Sequence, residues 1–259
     1  MNQDSKKLSG STLKIIAMVT MLIDHIGAVM IEKGILKCRD YAGYGDHIKL
    51  IKELDTITRL IGRIAFPIFC FLLVEGFVHT RSRGKYLLRL FILALISEVP
   101  FDLAFRLSYY NMTLQNVCFT LFLGVLMLTF WEIIIQKPVE DPWECFIKAE
   151  LFRKVLAIYV VLLTMIFAAV FKVDYEALGI ALIFAFYIFR KQLFKRNVTA
   201  SMILLCGKPL EVFGITALIP IQEYNGERGL KLKYLFYDFY PVHIMLLVLL
   251  RKLVLGIGF

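Results

Sequence analysis

An aspartate and a histidine stand side by side in TMLIDHIGAV, residues 20–29, inside an otherwise apolar run. A histidine there can act as a general base, taking the proton of an attacking amine or hydroxyl. It can also act as a nucleophile, carrying an acyl group on a ring nitrogen. Its neighbour Asp24 projects about 100° around a helix and cannot readily be its partner. Other carboxylates lie in apolar context: Glu98 and Asp102, at successive i+4 steps with Arg106, and Asp238 in FYDFYPVH. One of Glu98, Asp102 or Asp238 is therefore expected to orient the imidazole of His25. Arg59 and Arg63 are also i, i+4, and Arg63 is a candidate oxyanion donor or carboxylate partner. Asn116, Asp238, Tyr240 and His243 are candidates for acceptor binding. A second group, His79, Arg81, Arg83, Lys85 and Arg89, has the charge and donor geometry to hold phosphates. The ordinary reading of each of these is also open: a histidine bonded across helices, a buried ion pair, a basic loop against lipid headgroups. Lys208 and Glu211, i, i+3 around Pro209, are expected to neutralise each other.

The elements that must position these groups are membrane helices. The chain has 259 residues, of which 59% are hydrophobic, and a mean hydropathy of +0.72. That is more apolar surface than one soluble core hides. Apolar segments at 12–31, 57–78, 86–105, 116–136, 151–171, 175–189, 199–221 and 235–255 are each near the length that spans a bilayer. The expected fold class is an all-α integral membrane protein, one domain over 1–259, a polytopic bundle of roughly eight transmembrane helices. The sixth segment is short, and Lys208-Pro209 kinks or breaks the seventh. Loop charge places both termini inside: basic residues collect at the N-terminus (Lys6, Lys7, Lys14), 79–86, 137–154, 190–196 and Arg251-Lys252. The outer loop at 32–56 mixes both signs. The first helix is expected to be retained, since no small-residue cleavage site follows it.

Depth then groups the polar residues. About 1.5 Å of rise per residue puts His25 roughly 18–20 Å along the first helix, in its outer half. Arg59, Arg63, Glu98, Asp102, Asn116, Asp238 and His243 fall at similar depth, which predicts a polar cavity toward the outer face. Intramembrane ionisable groups usually mark a site. The net charge of +9 is read as cytoplasmic loops and lipid contact, not nucleic-acid binding. The five cysteines form no CxxC pair and no zinc spacing, so neither metal nor a structural disulfide is expected.

LKIIAMVTMLIDHIG, GRIAFPIFCFLLVEGFVHT and YLLRLFILALISEVPFDL resemble the TraX family of bacterial membrane proteins, with further support from NVCFTLFLG, YNGERG and FYDFYPVH. The best-known member of that family acetylates the N-terminus of conjugative pilin. The family is also similar to the transmembrane acyltransferases, which take acetyl-CoA from the cytosol and acetylate an acceptor on the far side. The resemblance implies an acetyl-CoA-dependent N- or O-acetyltransferase of the bacterial inner membrane. His25 would be its central catalytic residue and Arg63 the basic group beside it, with Glu98 and Asp102 contributing to the site. The coenzyme phosphates would lie on His79, Arg81, Arg83, Lys85 and Arg89. The acceptor would be a peptide or pilin N-terminus or a glycan. A transporter or channel, and a non-enzymatic assembly factor for surface appendages, are the competing readings.

Overall fold

A computed structural model describes the backbone of residues 7–37, 47–136, 143–230 and 233–257. Lys6, Cys38 and the 38–46 and 137–142 parts of the expected loops lie outside the described residues. The described chain is helical, with only isolated bridges besides: α1 (Gly10–Ile26), α2 (Ile48–Gly62), α3 (Ala65–His79), α4 (Arg83–Phe105), α5 (Val117–Gln136), α6 (Trp143–Val170), α7 (Glu176–Ile188), α8 (Leu193–Leu205), a 3-10 stretch Pro209–Ala217 leading into α9 (Leu218–Gln222), and α10 (Lys233–Leu255).

Local sequence accounts for the boundaries. The Ser9 hydroxyl caps α1 by accepting the Thr12 amide at 3.3 Å, and Ser82 caps α4 through the Lys85 amide at 3.4 Å. α1 widens into a π-helical stretch, Gly27–Glu32, before the chain turns. α2 and α3 are one pass broken at Arg63-Ile64, just before Pro67, whose missing amide N–H is tolerated in the first turn of a new helix. α3 is apolar nearly all round and forms the central pillar. Phe66, Ile68, Cys70, Phe71, Leu73, Val74 and Phe77 are buried against α1, α5, α7 and the 209–217 stretch. α6 shows the opposite character: Phe152, Tyr159, Leu163, Ile166 and Phe167 are exposed, the surface a helix offers to lipid.

Among the described residues, four helical stretches are long and apolar enough to cross a membrane: Gly10–Lys37, Ile48–His79, Val117–Ile135 and Glu150–Val170. The chain is a membrane protein by that measure. α4 and α10 have 23 residues each, but their charged side chains dilute the apolar run. α7 and α8 have only 13 each.

Two expectations change here. The segment 199–221 is not one pass. Arg196, near the start of α8, lies over the Phe71 ring at 5.2 Å, and α8 then climbs until Leu204 packs beside Gly214, at the level of Arg63 and Pro67. The chain reverses at Cys206–Lys208, because Pro209 cannot donate and Gly207 closes tightly on Leu178 and Glu211. The 209–222 stretch returns until the Tyr224 ring meets Phe71 at 5.4 Å. This hairpin adds a reversal that hydropathy alone hides.

The consequence reaches the C-terminus. Amides of Leu8, Gly10 and Ser11 bond to carbonyls of Glu223, Glu227 and Arg228, so α1 and α10 begin at the same face. At the other end Arg251 donates to the carbonyls of Leu103 and Ala104, both at 2.8 Å, and Leu255 packs at Gly34. α1, α4 and α10 therefore run in the same direction. The two chain ends lie at opposite faces of the bundle, which corrects the expectation that both occupy one side. The sequence reads Arg251 as a loop charge. The residue is fully buried and caps the C-terminal carbonyls of α4.

Candidate functional site

One stripe of α1 organises the site. Lys14, Met18, Met21 and His25 recur at i, i+4, i+7 and i+11, all on one helix face. Two cavities open along it. The larger, about 550 Å³, opens at the face where α1 begins and is lined by Lys14, Met18, Met21, Glu75, His79, Arg89 and Arg228 with Leu72, Leu73, Leu90 and Leu93 behind them. The smaller, about 280 Å³, opens at the opposite face between Glu32, Lys33 and Arg106, and reaches Asp24, His25, Arg63, Asp174 and Tyr175. The two share Met21, Phe69, Val117, Leu121 and Tyr240 as walls, so a thin apolar partition separates them next to His25.

His25 is buried in the last turn of α1, and its Nδ1 lies 2.7 Å from Nε2 of His243 on α10. The two rings are parallel within 2°, with centroids 4.9 Å apart. His243 Nδ1 is 2.5 Å from the Phe239 carbonyl. A carbonyl only accepts, so His243 Nδ1 carries the proton and its Nε2 is a bare acceptor. His25 must then donate from Nδ1. Its Nε2 is left unprotonated at the wall of the smaller cavity, the state a general base needs.

Beside this pair lies an ionic cluster. Asp24 turns away from His25 and takes both α2 arginines, Arg59 at 2.8 Å and Arg63 at 3.1 Å. Gly62 makes the approach possible, since a Cβ there would overlap the Asp24 side chain. Arg63 also donates to Glu211 at 2.9 Å, to the Tyr175 hydroxyl at 3.4 Å and, through Nε, to the Arg59 carbonyl at 3.2 Å. Glu211 therefore serves Arg63, and the expected Lys208–Glu211 neutralisation gives way to it. Asp174, in the turn between α6 and α7, is half-buried on the cavity wall and accepts the Tyr175 amide at 3.1 Å. Burial pushes its carboxyl up to about 6; nearby Arg63 opposes this and Glu211 adds to it.

The remaining candidates divide. No carboxylate orients His25; a histidine does. Glu98 is held by the Asn116 amide side chain, which also donates to the Ala94 carbonyl at 2.8 Å. Asp102 is buried and accepts the Asn111 amide at 2.6 Å, fixing the loop after α4. Asp238 is exposed. Glu98 and Asn116 thus tie α4 to the residue that precedes α5, and Asp102 ties α4 to the loop between them. Tyr240 lines both cavities.

Of the basic group, only His79 and Arg89 line the larger cavity. Arg83 pairs with Glu132 and covers the Phe77 ring at 5.1 Å; Arg81 and Lys85 do not reach the cavity. Glu132 in turn accepts the Tyr187 hydroxyl at 2.6 Å. Lys14 and Arg228 complete the basic mouth instead. Lys14 was legible from its i+11 spacing to His25. Arg228, Glu211 and Asp174 had no such signal, since loops bring them in. Among the described residues, no group of three or more His, Cys, Asp or Glu is arranged to hold a metal ion.

A "Probable fimbrial assembly protein FimC, serogroup H1" of Dichelobacter nodosus is 28% identical over 269 aligned residues, covering 92% of this chain and 94% of the relative. No solved structure matches. The family model described as "TraX protein" matches residues 9–251, which include α1, both cavities and His243, and the chain therefore belongs to the TraX family.

Proposed function

We propose that this protein is a membrane-embedded acetyltransferase of the bacterial inner membrane. It would move an acetyl group from acetyl-CoA, bound in the larger cavity, to an acceptor bound in the smaller one. The observation that carries this reading is a histidine pair with a defined tautomer, next to the partition between cavities that open at opposite faces. A basic mouth of Lys14, His79, Arg89 and Arg228 leading to an apolar interior suits a phosphate-bearing donor with an extended acyl arm. Lys14 and Met21 are seven residues apart on α1, so the arm needs about 10 Å of depth to reach the partition. Basic 79–86 and 190–196 lie at the face with this mouth, which supports its being cytoplasmic.

The acceptor wall is mixed in charge, with carboxylates of Asp24, Glu32 and Asp174 among the cations Lys33, Arg59, Arg63 and Arg106. A peptide N-terminus on an appendage subunit, attacking as the neutral amine, is the acceptor that accords with the Dichelobacter relative's name as a fimbrial assembly protein. In the reaction His25 Nε2 takes the proton of the attacking amine as the new N–C bond forms. Collapse then breaks the C–S bond, and His25 returns the proton to the departing thiolate.

The test is acetyl transfer from labelled acetyl-CoA to a peptide with a free N-terminus, using purified protein in proteoliposomes. His25→Ala is expected to abolish transfer while keeping acetyl-CoA binding. His243→Gln, whose side-chain oxygen still accepts from His25, is expected to retain more activity than His243→Leu. Full transfer by a natively folded His25→Ala protein overturns the reading. Transfer-free passage of a solute across the same vesicles would favour a transporter, and a folded protein with neither activity would favour an assembly factor.

A further inference from the structure

Attack on a thioester builds negative charge on the carbonyl oxygen, and a fixed donor aimed at that oxygen lowers the barrier. Arg63 is the obvious cation, but its guanidinium is already engaged. Nε binds the Arg59 carbonyl, one terminal nitrogen binds Glu211 and Tyr175, and the other binds Asp24. Turning it toward substrate would strand two buried carboxylates. Arg59 donates to Asp24 through one terminal nitrogen, at 2.8 Å.

Tyr240 stands where such a donor is required. It is 7% exposed and is one of the walls common to both cavities, so its side chain borders the place where donor and acceptor meet. Its ring lies edge-on to His25, centroid distance 6.1 Å, and to His243 at 6.0 Å. Its phenol lies toward the backbone amide of Val117, the first residue of α5. That amide is one of the four at a helix N-terminus with no partner inside the helix, and it carries the positive end of the helix dipole. A positive end beside the phenol favours donation of its O–H proton to a developing negative charge.

The geometry points to Tyr240 as a catalytic residue, its hydroxyl donating to the oxyanion of the tetrahedral centre formed when the acceptor attacks the acyl carbonyl. No bond to Tyr240 forms or breaks; the proton stays on the phenol oxygen, and the acyl group passes from sulfur to nitrogen as above. This inference rests on the acetyltransferase reading and adds a role to it. It also explains why a tyrosine occupies an otherwise apolar partition: a phenylalanine would separate the cavities equally well.

The experiment compares wild-type protein with Tyr240→Phe and His25→Ala, in acetyl-CoA binding, thermal unfolding in detergent, and peptide acetylation. Tyr240→Phe keeps the ring and the partition, so binding and unfolding are expected to match wild type. Its kcat is expected to fall about 10²–10³-fold with acceptor KM little changed. Replacing Tyr240 with a more acidic fluorotyrosine should move kcat in step with the acidity of the phenol, which a packing role would not do. Wild-type kcat in Tyr240→Phe, with transfer lost in His25→Ala, overturns this inference and leaves the acetyltransferase reading standing. No transfer by wild-type protein removes both.

Discussion

At the scale of single residues, the site separates two neighbours that share one helical turn. Asp24 and His25 face different elements because consecutive helical positions differ by about 100°. Asp24 meets the α2 arginines and His25 meets α10. The divergence was legible in the sequence; the partners were not, because each lies at least 35 residues away along the chain. Asp174 lies beside the same ionic cluster, and its burial makes a stability prediction. Its carboxyl titrates near 6 in the fold against an ordinary 3.8. A raised acid favours folding while it is protonated, and that contribution is lost as pH rises through the folded value. Asp174→Asn is therefore expected to be more stable than wild type above pH 6, by up to about 3 kcal/mol, and equal to it below pH 4. Melting curves at pH 4 and 7.5 measure the difference; an unchanged gap between the two proteins across that range would contradict the assignment.

At the scale of elements, close approach of α1 to α2 decides whether the ionic cluster exists. α2 meets α1 with Gly62 against Asp24 and Thr58 against Gly27. Gly62→Ala puts a methyl where the Asp24 side chain lies, so the helices must part and the Arg59 and Arg63 bridges must lengthen. Overpacking of this kind typically costs about 1–3 kcal/mol. The expected result is a lower Tm with acetyl-CoA binding preserved, since the larger cavity lies on the other side of the partition. A wild-type Tm in Gly62→Ala would show that α2 is free to shift. The GRIAFPIF motif thus has a mechanical reading: glycine for contact, arginine for the bridge, proline for the break that starts α3. The hairpin of α8 with 209–222 is the element the sequence concealed, because two short apolar passes and one long broken one have the same hydropathy.

At the scale of the whole molecule, that hairpin sets the parity of the bundle. Labels on the two chain ends are expected to react from opposite sides of sealed, uniformly oriented vesicles. Reaction of both from one side would mean that α8 and the 209–222 stretch do not form two opposed passes. The same parity places Arg251 at the face away from the chain start, where it holds the end of α4 beside the smaller cavity's mouth. The two cavities then acquire different characters from opposite ends: a basic mouth on one side, and an aromatic chamber of mixed charge with Phe66, Phe69, Phe101 and Phe105 on the other.

The sequence by itself determined the helical membrane class, since long apolar runs have few other uses. It also determined that Asp24 and His25 diverge on α1, because helical phase follows from position alone. Family membership was likewise legible, from long motifs built around ionisable residues. Only the tertiary structure decided that His25 is oriented by His243 instead of by a carboxylate. It alone assigned Arg63 to Asp24 and Glu211, and replaced Arg81, Arg83 and Lys85 by Lys14 and Arg228 at the basic mouth. The reason is common to all three. Charge and spacing say which groups can pair, but choosing among partners hundreds of residues apart depends on which helix faces pack together, and packing is a property of the folded bundle.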